Sequence, residues 1–458
     1  MSEWKKVKIG DFLTERTGRY KPDDKIISQY QRLDKIDFSG NIHVSDKPSK
    51  TDMILVQPGD LVISGINVAK GAVAVYQGAE PVCATIHYSS YIFDDKKIDL
   101  EYFKYFVKSP AFLDVLKQQV KGGIKTEIKP KHLLPLEISI PDLATQKELV
   151  KNLSHQLKKS EDLQQEIEKQ KSYTKQLRQN ILQDAIEGRL TEEWRKNNPV
   201  AKGNPDFDAE ALFEKIQEEK SHTDSILLTQ NQGKKKKGKS LDFPNPCGNT
   251  EKPFVIPEGW KWVRLGEIVY SVVYGTSSKC SYDSNQNSAI LRIPNISLGY
   301  VDVSDLKYTN LSEIEKNELS LKENDLLVIR SNGSPEIVGK MVYVPKKFEN
   351  YCYAGYLIRL RFSIPRIGFY IGNISNSKLL RNQIEEPLRS TVGINNINSD
   401  EIKALIIPLP PLAEQTEIVR VVEAQLAKVD QLEKQIAERE TLTKQMLQSI
   451  MKDAFREE

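Results

Sequence analysis

Two loops in the second half of the chain carry side chains suited to contacting nucleic acid. RSNGSPEIVGK (Arg330 to Lys340) and RSTVGINN (Arg389 to Asn396) combine Arg, Lys and Asn, which match base edges, with Ser, Thr and Gly, which permit close phosphate approach. Arg330 can offer a two-pronged donor face to guanine, while Asn332, Asn395 and Asn396 suit adenine. Ser331, Lys340, Arg389 and Thr391 complete this candidate set. The first half has counterparts in SGINVAKG (Ser64 to Gly71) and KGGIKT (Lys121 to Thr126), with Ser64, Asn67, Lys70, Lys121, Lys125 and Thr126 as candidates. Taken singly, each string also fits an ordinary Gly/Asn/Ser turn. Their matched placement in both halves favours contact.

Catalytic chemistry is hard to find. An adenine methyltransferase needs a Gly-rich cofactor loop and an Asn/Asp-Pro-Pro-aromatic motif; the nearest string, NPCG at Asn245, has Cys247 in place of the second proline. A phosphate-binding loop needs GxxxxGK[ST]. The string from Gly333, GSPEIVGKM, has one residue too many between its glycines and Met341 where Ser or Thr belongs. The five histidines form no metal-like pair, and Cys83, Cys247, Cys280 and Cys352 form no CxxC. No catalytic residue, metal or cofactor is expected, and the cysteines read as reduced thiols.

The elements that position the loops are written twice. Pro141 to Ala185 and Pro410 to Ala454 align without a gap, identical at about two in five positions, including Gln146/Gln415, Leu157/Leu426 and Ile181/Ile450. The starts also match: EWKKVKIGDFL from Glu3 and GWKWVRLGEIV from Gly259 pair Trp4 with Trp260. Between start and helix the likeness thins to landmarks, with Asp60 facing Asp325 and Gly123 facing Gly393. Each half is thus a diverged globular part followed by a preserved helix. The globular parts read as mixed α/β, from strand-turn-strand runs such as DMILVQPGDLVISG and a helical Tyr/Phe stripe (Tyr102, Phe103, Phe106, Phe112) expected in the core.

In the repeated helices, apolar residues recur at three- and four-residue steps: Leu153, Leu157, Leu163, Ile167, Leu177 and Ile181, then Val422, Leu426, Leu432, Ile436, Met446 and Ile450. A single stripe among Lys, Glu and Gln is not stable alone, so the two helices are expected to pair as a coiled coil. Between the halves, Asn197 to Pro253 reads as a partly disordered linker with one short helical piece (Ala209 to Lys220) and the run Lys234–Lys237. The chain of 458 residues has a formal net charge of +3, which neither requires nor excludes a nucleic-acid partner. With no signal-peptide core and no run near the roughly 18 apolar residues of a spanning helix, a soluble cytoplasmic protein is expected.

Order and repetition together resemble the specificity subunits of type I restriction–modification enzymes. IPEGWKWVRLGEI is similar to the opening of the family's target-recognition domain, IIPLPPLAEQ to its exit into the conserved helix, and GDLVISG and NDLLVIRSNG to its Gly-Asp strand and following loop. The first half departs in detail, since SGINVAKG lacks an Arg at the place of Arg330. The resemblance implies target-recognition domains at residues 1–139 and 254–407, spacer helices at 140–195 and 408–458, and a linker at 196–253. It further implies an approximate two-fold relation between the halves and antiparallel helices that set the gap in a split double-stranded DNA site. Two methyltransferase subunits would dock, restriction subunits would join in the full complex, and this chain would perform no chemistry and touch no membrane. The competing reading is a duplicated coiled-coil scaffold joining two peptide-binding domains.

Overall fold

The computed structural model describes residues 4–38, 40–70, 72–119, 128–230, 248, 252–388 and 395–456. Two compact units emerge, one of residues 1–170 and 435–458, the other of residues 171–434.

Each half closes on itself with the same two-stranded antiparallel ladder. Lys5–Lys8 pairs with Glu137–Ile140, and Lys261–Arg264 with Ile406–Leu409. A proline step then starts each long helix, Leu143–Ile186 and Leu412–Asp453. Inside this ladder the halves share a four-stranded antiparallel sheet in the same order. In the first half the order is Leu13–Glu15, Tyr88–Phe93, Leu61–Ser64, Val73–Val75. In the second it is Val269–Tyr274, Leu357–Phe362, Leu326–Ile329, Met341–Tyr343. A second sheet stands beside each, four-stranded in the first half and three-stranded in the second, and contains one parallel pairing, Arg32 with Cys83 in the first half and Ile290 with Cys352 in the second. The duplication seen at the chain level is therefore a duplication of topology.

Strand cores explain why the sheets form. Leu61–Ser64 and Leu326–Ile329 are buried along their whole length, as strands covered on both faces must be. In the first unit the aromatic stripe packs inward as expected: Tyr102 and Phe106 meet Phe455 edge-on at 5.3 and 5.6 Å, and Phe106 meets Phe112 at 5.7 Å.

The long helices run antiparallel in each unit. In the first, Leu153 shares a core with Phe455, and Arg439 donates to Gln170 at 3.1 Å. In the second, Ile181 and Ala185 share a core with Val422 and Ile418, and Arg178 bonds Glu433 at 3.0 Å and also pairs with Asp430. Their seam is narrower than the sequence stripe. Gln146, Leu153, Ser160, Ile167, Thr174 and Ile181 are buried, as are the repeat-equivalent Gln415, Val422, Val429, Ile436 and Thr443: one residue per heptad. Leu157, Leu163, Leu426 and Ile450 are half-buried, while Leu177, Leu432 and Met446 stay exposed at 43%, 44% and 43%. Two helices bury one row each between them; residues flanking that row need a third body to cover them.

The region between the halves is more structured than expected. Ala209–Gln230 is a helix of 22 residues, and Leu212 and Ile216 are fully buried in the core of the second unit. Arg195 and Thr191, upstream of it, hold the buried Glu414 at 2.5 and 2.7 Å, with Trp260 Nε1 donating at 2.7 Å. The polar composition hid these few apolar anchors. Among the described residues no helix is long and apolar enough to cross a membrane.

Candidate nucleic-acid interface

Strand Leu326–Ile329, paired on both sides, delivers Arg330 at its C-terminal end. The Arg330 N–H donates to the Tyr356 carbonyl at 2.8 Å, and its own carbonyl accepts from Ile397 N–H at 2.9 Å. Ser331–Asn332 then pairs antiparallel with Asn395–Asn396. The two loops singled out in the sequence, far apart along the chain, thus become one short ladder.

This ladder sorts the candidate side chains. The Arg330 guanidinium lies over the Tyr274 ring, 4.9 Å from its centroid, and Nε donates to Asn396 Oδ1 at 3.1 Å. Asn332 Oδ1 accepts from Ser334 N–H at 2.9 Å, closing a local turn. Asn395 is buried and donates to the Gly333 carbonyl at 3.2 Å. Lys340 Nζ donates to the Ser297 carbonyl at 3.3 Å. Asn332, Asn395 and Lys340 therefore shape the loop, and Arg330, Ser331 and Asn396 form its presented edge. Gly339 permits the turn: its φ is +75°, and a Cβ there would lie 2.7 Å from the Ile384 side chain.

In the first half, Gly65 occupies the place of Arg330. Its N–H donates to the His87 carbonyl at 2.9 Å, and its carbonyl accepts from Ile128 N–H at 2.9 Å. Ser64 is buried, with its N–H bonded to the Ala72 carbonyl at 3.0 Å. Asn67 sits in a tight turn, accepting through its carbonyl from the N–H groups of Lys70 and Ala72. Lys70 is exposed, its Nζ 5.7 Å from the centroid of Phe38. Beside Lys70 this edge also exposes two apolar side chains, Ile66 at 58% and Phe38 at 57%. Lys121, Lys125, Thr126, Arg389 and Thr391 lie outside the described residues.

A groove of about 780 Å³ opens beside Arg330, lined also by Tyr274, Tyr356, Cys280, Arg292 and Lys307. The sequence reading missed Tyr274, Tyr356 and Lys307. Tyr274 and Tyr356 each neighbour a glycine (YG at Tyr274, GY at Gly355), an aromatic-glycine pairing that signals close backbone approach. Asp305 takes up the groove's Arg292 at 2.7 Å, and that guanidinium together with the Tyr282 hydroxyl holds its carboxyl below the usual range. Burial raises the Cys280 thiol, with Arg292 and Lys307 pulling the other way, so it remains a thiol rather than an anion. The groove is cationic and aromatic, the combination that accepts a base edge with its phosphate.

The sequence model of the type I restriction modification DNA specificity domain matches residues 1–170 and 257–439. The chain is 28% identical over 406 residues to the type I restriction enzyme EcoKI specificity subunit of Escherichia coli (strain K12), covering 88% of this chain and 75% of that one. It is 25% identical over 406 residues, with the same coverage, to the StySPI specificity subunit of Salmonella potsdam. Among solved structures, the HsdS subunit from Thermoanaerobacter tengcongensis is similar with a TM-score of 0.52 at 16% identity, over 99% of this chain and 96% of that one. A second solved chain, described in terms of complex assembly of the type I R-M system, reaches 0.61 at 16% identity, over 99% and 97%. At such identity the structures speak to fold alone, whereas the sequence match takes in both sheet-bearing halves and most of each long helix. The chain therefore belongs to the type I restriction–modification DNA specificity family.

Proposed function

We propose that this chain reads a bipartite double-stranded DNA site, one half-site per globular half, for a methyltransferase and restriction complex whose chemistry resides in other subunits. One observation carries the reading. The same strand end, tied by the same two backbone hydrogen bonds, presents Gly65 in one half and Arg330 in the other. A duplicated scaffold that varies its presented edge is what two readers of different sequences require. The ranges 1–139 and 254–407 serve as the readers, and 140–195 and 408–458 as the helices between them, joined by 196–253.

Two methyltransferase subunits would dock on the long helices. In the second unit, Tyr173, Leu177 and Leu432 are exposed; their repeat equivalents in the first unit are Leu442, Met446 and the half-buried Leu163. An apolar patch repeated in sequence suits one partner bound twice. Restriction subunits would join that assembly.

The test is methylation mapping with the purified chain and its methyltransferase on a random DNA library. A split motif with a fixed gap is expected. Absence of any sequence preference would leave the scaffold reading standing.

A further inference from the structure

Resting on that reading, we infer that Arg330 specifies a guanine in the second half-site, held in reading posture by Tyr274 and Asn396 as positioning residues. The Arg330 side chain is fixed on two sides. Its guanidinium lies over the Tyr274 ring, and its Nε is taken by Asn396 Oδ1. Both supports are themselves anchored: the Tyr274 hydroxyl accepts from Ser399 N–H at 3.0 Å, and Asn396 is locked in register opposite Ser331. Among the described residues no acceptor meets either Nη group. With Nε occupied, the guanidinium can offer only its end-on pair of Nη donors, whose spacing matches O6 and N7 of guanine in the major groove. Adenine presents a donor at the O6 position and would repel one of the pair.

The adjoining groove gives the duplex somewhere to lie. Tyr356, exposed at 64%, rises beside Arg330 at the end of the hydrogen bond that anchors it. Gly275 lets the two backbones under the groove close up, for a Cβ there would lie 2.3 Å from the Ala354 carbonyl oxygen. Lys307 supplies the cation for phosphate, because Arg292 is already neutralised by Asp305. In the first half no guanidinium occupies the equivalent position, so the two half-sites differ chemically there.

The test uses the full chain assembled with its methyltransferase and measures dissociation constants on its mapped site. Each guanine of the second half-site is replaced in turn, by another base or by 7-deazaguanine. Wild type should lose roughly tenfold to a hundredfold at one guanine. Arg330→Ala should lose a similar factor on the unmodified site, become indifferent to that guanine alone, and keep full discrimination in the first half-site, which also reports correct folding. Tyr274→Leu should relax specificity at the same base, and Tyr274→Phe, which keeps the ring but loses the Ser399 hydrogen bond, should relax it less; a merely structural tyrosine would weaken every position alike. Uniform weakening by Arg330→Ala, or relaxation at a position that is not guanine, overturns the inference while the bipartite reading survives. Failure of the wild-type complex to show any second half-site would instead overturn the reading beneath it.

Discussion

Asp60 and Asp325 hold the same place in the two halves, and both are buried, at 2% and 1%. Each is neutralised by an arginine forked onto its carboxylate, but from different strands. Arg16, next to Leu13–Glu15, serves Asp60 at 2.6 and 2.7 Å; Arg361, within Leu357–Phe362, serves Asp325 at 2.6 Å through both contacts. A buried carboxylate demands a counter-charge without dictating where it comes from. Arg361→Leu leaves Asp325 buried and unpaired and should cost about 3–5 kcal/mol. The double variant Arg361→Leu/Asp325→Leu should recover much of that in urea unfolding, and equal losses would show that the pair is not coupled. Ser160 is the reverse case. Its hydroxyl is buried with no hydrogen-bond partner among the described residues, at the repeat position where the second helix has Val429. Ser160→Ala should raise stability by about 1 kcal/mol, read as a higher Tm. A lower Tm would mean that the hydroxyl is satisfied by solvent.

At the scale of elements, the long helices divide their apolar residues between two tasks. The heptad row from Leu153 to Ile181 and from Val422 to Thr443 closes the pair. Arg178, paired with Asp430 and Glu433, marks a charged flank in the second unit. One residue earlier on each helix, Leu177 and Leu432 turn toward the other flank and remain exposed. If that flank is one of two methyltransferase docking surfaces, as proposed, Leu177→Glu with Leu432→Glu should leave helix content and Tm close to wild type. Sedimentation should then show one methyltransferase per chain instead of two. Retention of both copies would remove this patch from the interface. The sequence made the helices and their stripe legible because heptad spacing is local. Which members of the stripe are covered was not legible, since that depends on the partner helix's angle and distance.

At the scale of the molecule, both long helices have residues in both units, and the proposed spacer role is tested by changing their length. The buried row repeats every seven residues, which sets the insertion that preserves it. Seven residues added near Gln170 and seven near Glu440 lengthen each helix by about 10 Å, or roughly three base pairs. Methylation mapping should then show the same half-sites separated by a gap about three base pairs longer. Altered half-site bases with an unchanged gap would rule out a spacer role for the helices.

By itself the sequence determined the duplication, the two long helices and the mixed α/β character. All of these are written in repeats, periodicity and local composition, which need no partner to be recognised. The tertiary structure alone decided three matters. It joined Ser331–Asn332 to Asn395–Asn396, so that Asn395 and Asn332 became supports and Asn396 a guide for Arg330. It drew Leu212 and Ile216 out of a polar stretch into the second unit's core. It placed Tyr274 beneath Arg330. Each depends on which distant segments a sheet's strand order brings side by side, and spacing along one chain does not encode that order.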